Sequence, residues 1–400
     1  MNIKSVAIQT VPAGASLSAN TSVCRAGSEN PDPREAALEI FQGLGDHDAA
    51  CIFFFCSADY RLDLLSEALK ELFGDTRLVG CTSAGEITPL GLRKNSIAAV
   101  SLPRSHFAVE TMLIEDLSTF TEQEAQILVS DMVQRLRKHA LAPIFGHSFA
   151  MSLLDGMSIR EELVLNALST GLQEIPLVGG SAGDNLHFVD TQIYYDGDFR
   201  TRSAILAIIN TTCPFRVFSF HHLLPQQEKL VVTSASPYER VVHEFNAEPA
   251  ALEYCRINGL SIDELTPETF ALHPLAVQLS DELYVRSVQK VNDDLSLTFF
   301  CAIDVGVVLT RMASGGILSQ TKAVLESAQA QLGPPQVIIG YDCIHRRCEM
   351  DSLHIVDDMS RLYAEYQLIG FNTYGEQREG MHVNHTLTGV AIGRAESEAR

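Results

Sequence analysis

LVGCTSAGE at 78–86, LVGGSAGD at 177–184 and LIGFNTYGE at 368–376 share one pattern: two aliphatic residues, a glycine, a hydroxyl residue, a second glycine and a carboxylate. The middle copy is one residue shorter. Upstream of the first copy, AACIFFFC (49–56) is an apolar run of strand length, and residues 61–73 place Leu62, Leu65, Leu69 and Leu72 at helical spacing before a Gly74-Asp75 stop. Upstream of the second, SFAMSLL (148–154) leads to a predicted helix from Ser158. There Ser158 and Glu161 form a capping box, and Ile159, Leu163, Ala167 and Leu168 form the apolar face. Upstream of the third, QVIIGY (336–341) leads to a helical pattern through Leu353, Val356, Met359, Leu362 and Tyr366.

Strand, crossover helix and strand pair in parallel through a right-handed connection, so each stretch predicts a βαβ element. The runs at 96–102, 192–195 with 204–210, and 386–392 read as the edges of a mixed sheet. Residues 13–34, rich in Ser, Ala, Asn, Gly and Pro, predict an irregular connection, with folded chain resuming near Glu35. The pattern breaks between Asn210 and Pro237, and 231–328 reads as strands and short helices. The expectation is an α/β fold of two domains, 35–225 and 226–393, with parallel or mixed sheets built from repeated βαβ units. A chain of 400 residues suits two cores better than one.

Fifty acidic against 29 basic residues give a net charge of −21, and no cluster of Lys and Arg offers phosphate contacts, which argues against nucleic acid and anionic membrane as partners. The nine cysteines include no CxxC pair, so reduced thiols are expected. The first twenty residues lack a basic start followed by an apolar run, and no run of 18 apolar residues occurs, so a cytoplasmic location is expected.

Glycines flanking a hydroxyl at the carboxyl end of a strand allow close backbone approach to a ligand, in the crevice where open α/β sheets bind. The candidates are Gly80, Ser83, Gly85, Glu86, Gly179, Ser181, Gly183, Asp184, Gly375 and Glu376. Asp59, Asp155 and Asp342 end the preceding strands. The alternative is that the glycines only make the turns while the carboxylates bond local N–H groups. No phosphate loop, GxSxG elbow, HExxH helix or zinc framework appears.

DCIHRRCE (342–349) is the densest ligand-like cluster. Imidazole or thiolate can bind iron, and Arg346 and Arg347 can pair carboxylates such as haem propionates. The cysteine spacing fits neither structural zinc nor covalent haem. The alternative reading is a turn with ordinary salt bridges. His382, His385, His221, His222 and His243 are further imidazoles, each alone more often a satisfied polar residue than a ligand.

The three turns, the segment FNAEPAALEYC (245–255) and the 342–349 cluster together resemble the FIST family, over roughly 35–393. The resemblance implies a sensory module that binds a small ligand, is not an enzyme, and acts with a histidine kinase, a cyclic-di-GMP protein or a chemotaxis receptor. It leans toward the haem-binding, nitric-oxide-sensing NosP-type subgroup, with His345 first as axial ligand and His243 and His385 behind it. A second reading is an amino-acid sensor, with acidic turns holding the ammonium and Arg346 or Arg347 the carboxylate. A third is a hydrolase using Ser181 or Ser83.

Overall fold

The structure is a computed structural model and describes residues 22–45, 48–279 and 282–395. The run at 49–56 forms the strand Ala49–Ser57, buried along its whole length. It pairs in parallel with Leu78–Ser83, Phe54 opposite Gly80. The crossover helix Leu62–Phe73 buries Leu65, Ala68, Leu69 and Phe73, and Gly74 at φ 53° ends it by returning its N–H to the Lys70 carbonyl. The second unit pairs Ser148–Leu154 with Leu177–Ser181, and the third pairs Val337–Cys343 with Leu368–Thr373, both in parallel.

Each unit also has an outer strand and a first helix: Cys24–Ser28 with Pro33–Leu44, Phe107–Ile114 with Glu122–Leu136, and Phe215–Phe220 with Ile317–Leu332. The return strands Ile97–Pro103, Ala204–Thr211 and Leu387–Ile392 run antiparallel between the outer strand and the parallel pair.

The hairpin that follows each glycine turn joins another unit's sheet. Glu86–Thr88 and Gly91–Arg93 extend the third sheet beyond Leu368–Thr373. Glu376–Arg378 and Met381–Val383 extend the second beyond Leu177–Ser181. Ile193–Tyr195 and Asp198–Arg200 extend the first beyond Leu78–Ser83. The exchange is cyclic: first to third, third to second, second to first.

Side-chain alternation along the strands builds two layers. Phe53 and Phe55 point into a core shared with Phe149, Met151, Tyr341 and Phe371 of the other two sheets, and Phe55 stacks on Phe371 at 4.6 Å. Ile52, Phe54 and Cys56 point outward under the helices Pro33–Leu44 and Leu62–Phe73. Between Phe215–Phe220 and Ile317–Leu332 lies an inserted, twisted antiparallel sheet. It is centred on Leu223–Ser236 and Val308–Ser314, and its own core contains Leu230, Phe245, Tyr254 and Phe299. Among the described residues no helix is long and apolar enough to cross a membrane.

Several expectations are corrected. Within 13–34, residues 13–21 lie outside the described residues, but 22–34 is ordered. Cys24–Ser28 pairs with Ile97–Pro103, and Asp32 caps the next helix by accepting from the Arg34 and Glu35 N–H groups. An outer strand needs few apolar residues, which hid it. The 96–102, 192–195, 204–210 and 386–392 runs are inner strands, because a further strand covers each.

The helix expected from Ser158 starts at Glu161 with no side-chain cap, since Ile159 adopts φ 55° and interrupts the turn. Its buried face is Val164, Leu165, Ala167, Leu168 and Leu172, with Ile159 outside the helix and exposed and Leu163 exposed on the opposite side. The third crossover is two helices, Ile344–Ser352 and Val356–Glu365, broken at an exposed Leu353 and at His354 with φ 56°.

Candidate functional site

The three glycine turns meet, and each locks onto a neighbouring unit. Ala84 donates to the Asn372 carbonyl and Asn372 to that of Gly85, while Tyr374 donates to Ser181 and Ser181 to Gly375. Gly183 donates to the Thr82 carbonyl. The glycine requirement is therefore set by protein approaching protein. A Cβ on Gly85, itself at φ 134°, would lie 2.9 Å from Asn372 Oδ1, and one on Gly375 would lie 1.7 Å from His382 Nε2. Gly80 and Gly179 sit inside the parallel pairs, opposite Phe54 and Ser152, and Gly183 packs on Ala84.

The turn carboxylates are buried and engaged. Glu86 accepts from the Ser83 hydroxyl and from the Ser96 N–H (3.1 Å) and hydroxyl (2.6 Å). Glu376 repeats this with Thr373 and with the Thr386 N–H (3.0 Å) and hydroxyl (2.7 Å). Burial pushes Glu86 up to about 7 and Glu376 up to about 8, against the pull of those donors. Asp184 instead caps a loop, accepting from the Phe188, Val189 and Asp190 N–H groups and the Tyr374 hydroxyl. Ser83 also donates to the Cys56 carbonyl, and Ser181 accepts from Gln377 Nε2. Among the described residues no histidine hydrogen-bonds either serine.

The two arginines of the 342–349 cluster separate. Arg346 is fully buried and bonded to Asp342 Oδ1 (2.5 Å), Thr321 Oγ1 (3.0 Å) and His222 Nδ1 (3.0 Å). Arg347 lines a cleft of about 330 Å³ with Asp59, Ala84, Lys94, Asn185, Glu268 and Asp351. Its Nε lies 3.3 Å from Asp351, and its buried Nη1 has no hydrogen-bond partner among the described residues. Asn185 donates to Asp59 (2.8 Å) and to Ser57. Lys94, Asn185 and Glu268 were not nominated from sequence. Asn185 directly follows the second turn and Lys94 the first hairpin, which is the only signal they carry.

His345 and His385 come together, both buried, with ring centroids 5.1 Å apart. Phe300 lies 5.3 Å from His345 on an edge contact. Burial pulls His345 down to about 4, and burial with the neighbouring His345 pulls His385 well below its ordinary value. His345 Nδ1 and both His385 nitrogens lack partners among the described residues, a donor set that suits iron. The space does not suit a haem: a planar macrocycle on either imidazole would have to displace Phe300 or the other histidine. His243 is apart from them, in Val241–Phe245 of the inserted sheet, bonded to Ser236 Oγ at 3.0 Å.

Models of the FIST N domain and the FIST C domain match residues 50–248 and 250–379. No curated protein matches the chain. The N-domain match covers most of the first unit, the second unit, the third unit's outer strand and the start of the insert, and the C-domain match covers the rest of the insert and most of the third unit through its turn. The chain belongs to the FIST family, whose domains are signal-transduction sensors that bind small ligands.

Proposed function

We propose that this chain is a cytoplasmic sensor of a small zwitterion of the amino-acid type, bound in the Arg347 cleft and read by a separate signalling partner such as a histidine kinase or a cyclic-di-GMP protein. The observation that carries this reading is Arg347: a cleft-lining guanidinium with a buried, unpartnered Nη1 and one long contact to Asp351. The Arg347 side chain is 7% exposed, so a small side-chain movement would bring the guanidinium to a ligand carboxylate, which completes it with charge-assisted bonds. Asp59 and Glu268 line the same cleft and supply the negative charge for an ammonium. Arg346, the other candidate for the carboxylate, is already committed to Asp342, Thr321 and His222.

Size points the same way. A cleft of about 330 Å³ lies at the small end of ligand sites, which run from about 300 to 1,000 Å³, and admits an amino acid better than a porphyrin. Glu268 belongs to the insert and Arg347 to the third unit, so a ligand touching both favours one placement of the insert over another. A signal requires that difference in affinity.

The test is a thermal-shift screen of the whole protein against the common amino acids at millimolar concentration, followed by calorimetry. One or a few amino acids should raise Tm, by about 2.7 kcal/mol of stabilisation at a hundredfold excess over Kd, and Arg347→Ala should remove the shift. The rival reading keeps haem and nitric oxide, and rests on the family resemblance and the unpartnered nitrogens of His345 and His385. No shift with any amino acid, together with a Soret band after haem is supplied that is lost in His345→Ala, would replace the proposal with that rival.

A further inference from the structure

We infer that Glu161, Glu162 and His382 form a binding site for one divalent transition metal, of the Zn²⁺, Fe²⁺ or Mn²⁺ class, at the junction of the second unit, the third unit's hairpin and the insert. The ligand atoms of the three side chains lie within 4.8 Å of one another. His382 is 4% exposed, and neither of its ring nitrogens has a hydrogen-bond partner among the described residues. Its Nε2 lies against Gly375, so close that a Cβ there would sit 1.7 Å away. Nδ1 is therefore the nitrogen left to bind, and it lies 3.8 Å from Glu162 Oε1, beyond hydrogen-bond reach.

Arg240 sets the carboxylates for this role. Its Nη2 bonds the Oε2 atoms of both Glu161 and Glu162, and its Nη1 bonds the Phe300 carbonyl at 2.7 Å. That leaves Glu161 Oε1 buried without a hydrogen-bond partner among the described residues and Glu162 Oε1 with the Ala302 N–H at 3.0 Å. A buried imidazole and a buried carboxylate oxygen, both unpartnered, cost free energy that a bound cation would recover.

The geometry is close to a metal site. Donors on a tetrahedral zinc at about 2.1 Å stand about 3.4 Å apart, so the three atoms need to close by no more than about 1.4 Å from the 4.8 Å limit of their separation. Two carboxylates against one guanidinium leave one net negative charge before the cation enters. The single imidazole with only two carboxylates selects a borderline transition metal over Ca²⁺ or Mg²⁺, which take more oxygen ligands. Glu161 and Glu162 open the helix Glu161–Leu172, His382 lies in Met381–Val383, and Arg240 and Ala302 belong to the insert. A metal here ties three parts of the fold together, at a place separate from the Arg347 cleft.

The full-length protein, stripped with a chelator and dialysed, would be titrated with Zn²⁺ against a chromophoric competitor and with Co²⁺ by visible absorption. The expected result is one Zn²⁺ per chain at micromolar affinity or tighter, a Co²⁺ d–d spectrum of low-coordinate nitrogen and oxygen ligation without thiolate charge transfer, and a raised Tm. His382→Gln and Glu161→Gln should each weaken binding by at least the roughly 10–100-fold that loss of a ligand's supporting partner costs, whereas His243→Ala should leave it unchanged. The wild-type titration decides the matter even where a variant folds poorly. No stoichiometric binding, a thiolate charge-transfer band, or binding unaltered in a folded His382→Gln protein would overturn the assignment.

Discussion

Replacing Arg346 with Met removes a fully buried guanidinium and keeps most of its hydrocarbon volume. The charge stands at the centre of a network that closes both chain passages into the insert. Arg346 bonds Asp342, Thr321 and His222, and its guanidinium carbon lies 5.3 Å from the Phe220 ring centroid. His222 Nε2 donates to Glu349 Oε2 at 2.7 Å, Ser314 donates to Glu349 Oε1 at 2.6 Å, and Tyr363 donates to Asp342 Oδ2 at 2.7 Å. In Arg346→Met the Asp342 carboxylate keeps the Tyr363 hydroxyl and loses its counter-charge. Breaking a buried pair from one side costs about 3–5 kcal/mol, a large part of the roughly 5–15 kcal/mol that holds a domain folded.

Asp342→Asn leaves Arg346 buried without its anion and should cost a similar amount. The double variant removes both charges and should fall short of the sum by about 1–3 kcal/mol. Urea unfolding followed by circular dichroism supplies the three values. Hydrogen exchange should show lost protection at Leu223–Ser236 and Val308–Ser314, because His222 and Ser314 tie those strands to the third unit. A cost below about 1 kcal/mol for Arg346→Met, or strict additivity in the double variant, would refute the claim that this network holds the insert on the core.

The raised carboxyls give a pH dependence whose sign is fixed. Glu376, moved from its ordinary 4.5 to about 8, and Glu86, moved to about 7, hold protons in the folded state that the unfolded chain has lost, so their contribution is full below pH 4.5 and declines as pH rises through 7 and 8. Glu86→Gln and Glu376→Gln should flatten the urea midpoint between pH 5 and pH 8, and unchanged profiles would contradict the burial argument. Gly375→Ala drives a Cβ to 1.7 Å from His382 Nε2 and should lower stability by about 1–3 kcal/mol or more, with recovery in Gly375→Ala/His382→Ala; the measurement is Tm. Tyr374→Phe removes the hydroxyl that donates to Asp184 and accepts from the Leu186 N–H at 2.8 Å, with an expected loss of about 1–3 kcal/mol in the urea midpoint.

Much of this fold was legible because hydrophobic periodicity is local. Residues 49–56, 148–154 and 336–341 read as buried strands, and the three glycine turns declared the repeat. Strand partners within each βαβ unit were legible, and those between units were not. The short hairpins after Glu86 and Glu376 carry too few apolar residues to stand out, and nothing in them says that Phe371 pairs with Glu86 or that Gly180 pairs with Glu376. The Ser158 capping box failed because the motif does not exclude a left-handed Ile159.

At the site, the two arginines show the limit most clearly. Adjacent residues on a helix point about 100° apart, so Arg346 and Arg347 meet different surroundings, and composition could not say which would be enclosed completely and which would edge a cleft. The role of the turn carboxylates was half visible. Ser83 and Thr373, each three residues before its glutamate, were part of the quoted motif, whereas Ser96 and Thr386, ten residues after, lie beyond any local pattern.

The cyclic exchange decides how such a sensor can transmit. In a unit closed on itself, a ligand at one turn would strain one sheet. Here the first turn is bonded to Asn372 of the third unit, the third turn to Ser181 of the second, and the second turn to Thr82 of the first, so displacing any one loads a neighbour's parallel pair. The three sheets also share one close-packed core, in which Phe55 touches both Tyr341 and Phe371. Close-packed interiors do not absorb such a load by gradual deformation. The insert is a separate layer with its own core, tied to the three-unit core by discrete polar contacts that include the His222–Glu349 and Ser314–Glu349 bonds and the Arg240 contacts to Glu161 and Glu162. On the proposed function, a ligand in the Arg347 cleft, which the insert walls through Glu268, would be felt as a change in how the insert sits, and the insert would be the surface for a partner to read.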